Sequence, residues 1–422
     1  MATQLPTAPP AQRPRPATPS RRGYRLGRWA RLRRSRRSRR FRRLLRTVLV
    51  LLLVVAIPTG WSLGRALAAP GTDSTAARVA EWARDHGMSP VVTFLEGIQY
   101  KLNPPKQGGA PNQALLAKLK GPQAGAPAAA PSVDPSKLTA APSPPAPPAL
   151  QPPVPPVVTP ALPGEGLWKP LETVNGFPVV QATYLRPDTV HTSYLTGVVW
   201  MDAKRARFQL HPGFLEPGHG PWSVPDNIPP GTRQGLLATF NGAFKISDAR
   251  GGFYLDGKTV GTLTPGAASE VFYRNGSMTV GAWGRDVQMT PDVVGVRQNL
   301  QLLVDQGQVV PGVDSNVEAG WGLTLKGAYY VWRTGVGVTA AGDIVFVGGD
   351  ALSVRALAEL LRRAGAVRAM ELDINPAWSS FMSYDASQDP ANPTPIKLLP
   401  FDRPADRYYQ PTSRDFVAVY AR

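Results

Sequence analysis

The apolar positions fall into distinct regimes along the chain. Val48 to Ile57 is an unbroken apolar block inside Thr47 to Gly64, a stretch of 18 residues without a charge. At ~1.5 Å rise per residue it spans about 27 Å as a helix, close to the ~30 Å hydrocarbon core of a bilayer, which predicts a membrane-spanning segment. Val79, Trp82 and Ala83 then recur at i, i+3 and i+4, and the pattern breaks around Gly87 to Pro90. That spacing predicts one or two short membrane-proximal helices between Asp73 and Tyr100, as packing elements without chemistry. Pro104 to Pro163 carries 18 Pro in 60 residues. Such a stretch favours polyproline II and predicts a semi-rigid stalk of at most roughly 190 Å.

From about Gly164 the pattern becomes that of short strands separated by turn residues. Phe253 to Leu255 and Thr259 to Leu263 flank Asp256-Gly257, and Val271 to Tyr273 and Met278 to Val280 flank an Asn-Gly turn. Further pairs are predicted at Leu302 to Val304 with Val309 and Val310, and at Gly335 to Thr339 with Ile344 to Val347. One helix stands out, Ser353 to Ala364, with Leu357, Leu360 and Leu361 on one face and Gly365 as terminator. Strands at Asp343 to Val347 and Val367 to Leu372 bracket it. The expectation is a mixed, sheet-rich α+β domain containing a β-α-β unit, right-handed where its strands are parallel neighbours.

Charge changes this picture in one respect. The chain is formally +18, but residues 1–46 hold 16 of its 47 basic residues and no acid, leaving 31 basic against 29 acidic residues beyond Arg46. A folded body so close to neutral is not a nucleic-acid-binding surface. Arg resists translocation, so the expected topology is a single-pass cell-membrane protein with a cytoplasmic amino terminus and an extracytoplasmic carboxy-terminal domain. A cleaved signal ending near Ala66-Leu67-Ala68 is the alternative, and a twin-arginine signal a third. The domains expected are an Arg-rich disordered tail (1–46), a signal anchor (47–64), a membrane-proximal helical segment (65–103), a Pro/Ala-rich linker (104–163) and a folded domain (164–422). With no cysteine, disulfides, thiol catalysis and Cys-based metal sites are excluded. Gly252 to Thr259 spells a P-loop, but runs into a strand and a turn instead of a helix, so it reads as a hairpin.

Candidate chemistry concentrates at strand ends. Val367, Ala369, Glu371 and Asp373 alternate onto one face of a strand, which brings two carboxylates to its carboxyl end, where active sites of such sheets gather. The alternative is an acid capping the turn through Asn375-Pro376. Asn241-Gly242-Ala243-Phe244, Arg333-Thr334-Gly335-Val336-Gly337-Val338 and Gly348-Gly349-Asp350 also place polar groups where strands meet loops.

Taken with Gln298-Asn299-Leu300, Leu303-Val304-Asp305 and Ser379-Ser380, these motifs occur in the order of the phosphodiester glycosidase family, which roughly Val174 to Arg422 resembles. The family's last motif usually reads Leu-Asp-Gly-Gly-Gly-Ser-Ser. Here it is Leu372 to Ser380, two residues longer, with Pro376 and Trp378 among its members. The resemblance implies hydrolysis of a sugar 1-phosphodiester at the anomeric carbon, in envelope glycans or glycolipids, on a mixed α/β domain. An oxocarbenium-like centre needs a carboxylate and the departing phosphate needs a cation. The resemblance then assigns Asp373 or Glu371 to the first role and Arg333 to the second. Asn241, Thr334, Ser379 and Ser380 would position substrate, Trp378 would offer a face to a sugar, and Asp350 would hold Arg333 or act as a second carboxylate. No cofactor is firmly implied, although a divalent cation bridging Asp350, Asp373 and phosphate is allowed. The expected partners are a phosphorylated glycan or glycolipid and the membrane, and the competing reading is a non-catalytic module that binds phosphorylated envelope glycans.

Overall fold

A computed structural model describes residues 23–120, 150–218, 220–314, 321 and 330–422. It divides into two units, residues 1–66 and 67–422. The first contains most of α1 (Gly23–Leu67), whose segment Phe41–Leu67 has a mean hydropathy of 2.1 over its most apolar window and is long and apolar enough to cross a membrane. Composition assigns residues 1–46 to a disordered tail, yet the helix reaches back to Gly23, because Arg and Leu both propagate a helix once the apolar block has nucleated it.

In the second unit, the periodicity around Val79 is α2 (Thr75–Ala83), capped by Ser74 Oγ, which accepts from Ala77 N at 3.2 Å. A π-turn at Arg84–Met88, with Gly87 at φ 78°, leads to α3 (Ser89–Leu102), and α4 (Gln113–Lys120) follows. Both ends of the proline-rich stretch are docked on the domain. Leu119 of α4 is buried, as are Val154 and Val158. The Trp168 indole donates to Pro152 O at 2.8 Å, and the Arg363 guanidinium to Pro155 O at 3.0 Å. Proline leaves its carbonyl free to accept, and the valines between prolines supply apolar surface. Only residues 121–149, outside the described residues, are left for the spacer reading.

The strands are β1 (Lys169–Val174), β2 (Phe177–Leu185), β3 (Thr196–Met201), β4 (Ala206–His211) and β5 (Leu236–Asn241), after which comes the single-turn α5 (Ile246–Ala249). Then follow β6 (Phe253–Leu255), β7 (Lys258–Val260), β8 (Ala268–Tyr273), β9 (Met278–Ala282), β10 (Val293–Gln298), β11 (Leu302–Asp305) and β12 (Gln308–Val309). The chain ends through β13 (Val331–Thr339), β14 (Ile344–Leu352), α6 (Val354–Arg363), β15 (Ala366–Glu371), β16 (Phe381–Asp385), β17 (Thr394–Lys397) and β18 (Phe416–Ala421). An eight-stranded sheet has the order β1-β2-β3-β14-β13-β15-β11-β12, and two five-stranded sheets run β7-β6-β10-β8-β9 and β17-β16-β5-β18-β4.

The P-loop spelling is the β6–β7 hairpin, with Asp256 and Gly257 at positive φ in its turn. The expected helix is α6, with Ser353 as its N-cap. The strands around it, β14 and β15, both pair antiparallel with β13, so they run in the same direction but are separated by one strand. The crossover through α6 therefore skips a strand, and the pairings between named strands are antiparallel throughout the described sheets.

The eight-stranded sheet packs on the β5-containing sheet through Phe240, Phe346 and Phe381, whose ring centroids lie 5.0 to 6.4 Å apart. The third sheet is tied to them by Arg297 on β10, which reaches Asp415, the residue before β18. Glu270 on β8 is fully buried near that pair, and neither of its carboxylate oxygens has a partner. Burial and the repulsion of Asp415 push its pKa up to about 8, against the opposing pull of Arg297. Because the folded value lies above the unfolded one, Glu270 adds stability at low pH that is lost as pH rises towards 8. Glu172, pushed to about 8 mainly by burial, acts in the same sense. Urea midpoints are expected to fall between about pH 5 and pH 8, and Glu270→Gln to flatten that slope; an unchanged slope would place the proton elsewhere.

Candidate active site

Strand β13 divides the candidate residues between its two faces. Arg333 shares a face with Gly335, where an added Cβ would press on Leu361 and Leu357 of α6. On this helix side Arg333 Nη1 lies 2.6 Å from Glu371 Oε1, and Arg333 Nε donates to Leu352 O at 3.0 Å. The two side chains are 2% and 0% exposed, so the guanidinium predicted to meet phosphate is committed to one of the two predicted acids. Burial raises the Glu371 pKa, with Arg333 pulling the other way, and Glu371 Oε2 has no partner.

Thr334 points to the other face, where the β5 sheet closes over it. Asn241 Nδ2 donates to Thr334 Oγ1 at 3.0 Å, and Ser380 N donates to Asn241 Oδ1 at 3.0 Å. Thr334 extends the ladder beyond β15: its N donates to Asp373 O at 2.9 Å, and Leu372 N donates to Thr334 O at 2.8 Å. Gly242 must be glycine here, since a Cβ would lie 2.6 Å from Asp415 Oδ2. Ser380 Oγ is 2.6 Å from the Tyr408 hydroxyl, while the buried Ser379 Oγ has no partner. Asn241, Thr334, Asp373 and Ser380 thus form one hydrogen-bonded group where the two sheets meet, although their positions lie up to 139 residues apart.

Asp373 is 2% exposed and stands two residues past Glu371, the last residue of β15. Its Oδ1 accepts from Asn375 N at 2.9 Å, and its Oδ2 lies 3.7 Å from Arg414 Nη2. Burial drives its pKa up to about 7, Arg414 and the Asn375 and Ile374 amides oppose the rise, and the charge of Glu81 adds to it. A carboxyl poised near neutrality beside a guanidinium can accept or donate a proton, or steady a cationic centre.

Arg414, Lys245 and Arg403 were missed by sequence reasoning. Only the fold brings Arg414 within 3.7 Å of Asp373, Arg403 over the Trp378 ring and Lys245 to Glu81, whose charge Asp373 senses. Arg414 and Arg403 both lie over the Trp378 ring, at 5.1 and 4.8 Å from its centroid, so a guanidinium already occupies the ring where a sugar was expected. The longer loop is held by Asn375, whose Oδ1 and O accept from Ala377 N and Trp378 N, each at 2.9 Å. Asp350, half-buried on β14, has its pKa raised chiefly by burial and senses the charges of Asp402 and His191. Among the described residues no group of three metal-ligating side chains converges.

Residues 71–85 lie against this cluster. Glu81 of α2 lies 2.7 Å from Lys245 Nζ, and Asp85 lies 2.6 Å from the same nitrogen. Asp73 is 3.0 Å from Arg403 Nη2 and also accepts from Ser413 Oγ, while Thr72 O accepts from Arg403 Nη1 at 2.8 Å. Gly71 passes so close to Pro411 O that no side chain fits there. The segment read as packing without chemistry therefore delivers acids to the cations around Asp373.

No curated protein matches the chain in sequence. Among solved structures, similarity is found to the catalytic domain of zebrafish N-acetylglucosamine-1-phosphodiester alpha-N-acetylglucosaminidase, auto-inhibited by its pro-peptide, at 14% identity over 60% of this chain and 87% of that one, with a TM-score of 0.38. A Synechocystis protein without assigned function is similar at 13% identity over 60% of this chain and 64% of that one, with a TM-score of 0.32. Residues 234–373, which run from the start of β5 to Asp373 and include Asn241, Lys245, Arg333, Asp350 and Glu371, match the sequence model of the phosphodiester glycosidases. Over those residues the chain carries a phosphodiester glycosidase domain, the family its motif order resembles.

Proposed function

We propose that the carboxy-terminal domain hydrolyses a sugar 1-phosphodiester at the anomeric carbon, with Asp373 as the carboxylate at the reacting centre. One observation carries the reading: within a phosphodiester glycosidase domain, a buried Asp373 with a pKa near 7 faces a buried guanidinium across 3.7 Å. A phosphate monoester is a good leaving group, so bond breaking needs little proton donation and depends on charge. Asp373 ionised would steady the developing oxocarbenium ion or take a proton from the attacking water. Arg414 keeps that carboxylate from being neutralised outright.

Asn241 and Thr334 hold the Asp373 backbone in place, and Ser379 Oγ, buried without a partner, is available to a substrate hydroxyl. Arg333 and Glu371 act in this reading as positioning residues that fix β13 against β15. α1 would anchor the protein in the cell membrane with the Arg-rich end cytoplasmic, so that the domain meets phosphorylated glycans or glycolipids of the envelope. The test is release of free sugar from a synthetic sugar 1-phosphodiester by the full-length protein in detergent. No turnover across a panel of sugars, with retention of the same compounds by both wild type and Asp373→Asn, would favour the non-catalytic binding module instead.

A further inference from the structure

We propose that α3 lies in the surface of the bilayer that α1 crosses, with Val91, Phe94, Leu95 and Leu102 among the lipid chains, so that the domain is seated on the membrane instead of lifted from it. The inference rests on α1 as the membrane anchor and is independent of the chemistry assigned to Asp373.

At roughly 100° per residue, positions 91, 94, 95 and 102 of a helix fall within an arc of about 100°. The four side chains there are 55%, 50%, 58% and 74% exposed, while Val92, next to the first of them, is buried. α3 thus turns Val92 inward and presents an apolar stripe on another side. Contiguous apolar surface of this kind marks a contact with lipid or with another protein. A helix of 14 residues with one such stripe suits the plane of a membrane interface, its apolar face sunk about 5–10 Å.

The length of free chain selects the bilayer. Leu67, the last residue of α1, is held by α2: Arg78 Nη1 donates to Leu67 O at 2.8 Å and also to Ala69 O. Arg78 Nη2 donates to Gly71 O and Nε to Asp73 O, each at 2.9 Å. One guanidinium gathers alternate carbonyls of the chain leaving α1 and takes up its slack. By Thr72 the chain is on the domain, its carbonyl accepting from Arg403 Nη1. The five steps from Leu67 to Thr72 reach at most about 18 Å. Residues 121–149 come later in the sequence, so they cannot lengthen this connection.

α3 is itself tied down on both sides. Before it, Glu81 and Asp85 hold Lys245. After it, Lys106 N donates to the Tyr194 hydroxyl at 3.1 Å and Gly108 N to Val190 O at 2.7 Å. The stripe therefore belongs to a body that its connection keeps near the membrane, and lipid is the apolar partner within reach.

The chain has no cysteine, so a single introduced one can be labelled. The experiment uses the full-length protein in nanodiscs, one copy per disc, with a polarity-sensitive fluorophore on Val91→Cys, Leu95→Cys or, within α1, Val54→Cys. Spin-labelled lipids carry a quencher either below the headgroups or at the chain end. The Val91 and Leu95 labels are expected to lose about half their emission to the shallow quencher and little to the deep one. The Val54 label should show the reverse. Water-exposed labels at both α3 positions beside a quenched Val54 label would overturn the proposal and leave the anchor standing. A Val54 label that no lipid quenches would reject the anchor and the proposal with it. Shielded α3 labels that lipid does not quench, with energy transfer between labels at two copies per disc, would give the stripe to a second copy and overturn the proposal as well.

Discussion

Asp373→Asn is expected to lower kcat for sugar 1-phosphodiester hydrolysis about 10³-fold, with KM and thermal midpoint close to wild type. The amide keeps an oxygen for the Asn375 N–H, so the loop after β15 stays in place. It loses the charge that a cationic transition state needs, and with it the titration near 7. Removal of a buried acid whose folded pKa is raised also relieves a cost above neutrality, so stability should hold or rise there. In the wild type kcat/KM should climb with pH through a limb near 7, because the ionised form is the one required. Glu81→Gln should move that limb down, since the Glu81 charge is among the causes that raise it. A loss smaller than 10-fold in Asp373→Asn would take the carboxylate out of the chemistry.

The second large effect is structural. Arg297→Met is expected to destabilise the domain by about 3 to 5 kcal/mol in urea unfolding, the range for breaking a buried ion pair from one side. Arg297 is 0% exposed, holds Asp415, and donates to Phe244 O and to Gln298 O, the latter at 3.1 Å. Methionine fills much of the volume but leaves the Asp415 carboxylate buried and unpaired, with Glu270 close enough to repel it. The same change reaches the site. Asp415 O accepts from Gly242 N at 3.0 Å, and Phe416 pairs with Asn241, so a shift of residues 413–416 moves Arg414 away from Asp373. Pairing the change with Asp415→Leu should recover part of the loss. A single-variant loss below about 1 kcal/mol would show that this pair does not organise the junction of the sheets.

What was legible in the chain follows the range of the forces involved. The apolar block, the Asn-Gly and Asp-Gly turns and α6 are written in neighbouring residues, and the helix and hairpins form at or near the predicted positions. The placement of β13 between β14 and β15 is not local: it depends on which strand edges pair, and nothing in the β-α-β pattern specifies that the crossover skips a strand. The alternation along β15 was read correctly for Ala369 and Glu371, which lie on the helix side. Asp373 stands beyond the last paired residue, where strand alternation ceases to apply, and it turns to Arg414 instead. Residues 150–163 form neither helix nor strand, as their proline content suggests, but such chain can lie on a domain as well as away from it, and the buried Val154 and Val158 show that here it lies on the domain. Lys245, Arg403 and Arg414 sit in no motif, and Glu81 reads as an ordinary exposed helix residue until α2 is seen against them.

The most direct measurement is hydrolysis of a sugar 1-phosphodiester in heavy-oxygen water, with the label located by mass spectrometry. Attack at the anomeric carbon, with Asp373 at the reacting centre, predicts heavy oxygen in the released sugar and none in the phosphate monoester. Label in the phosphate, or sugar 1-phosphate as the product, would contradict the account, because the bond broken would then lie between oxygen and phosphorus.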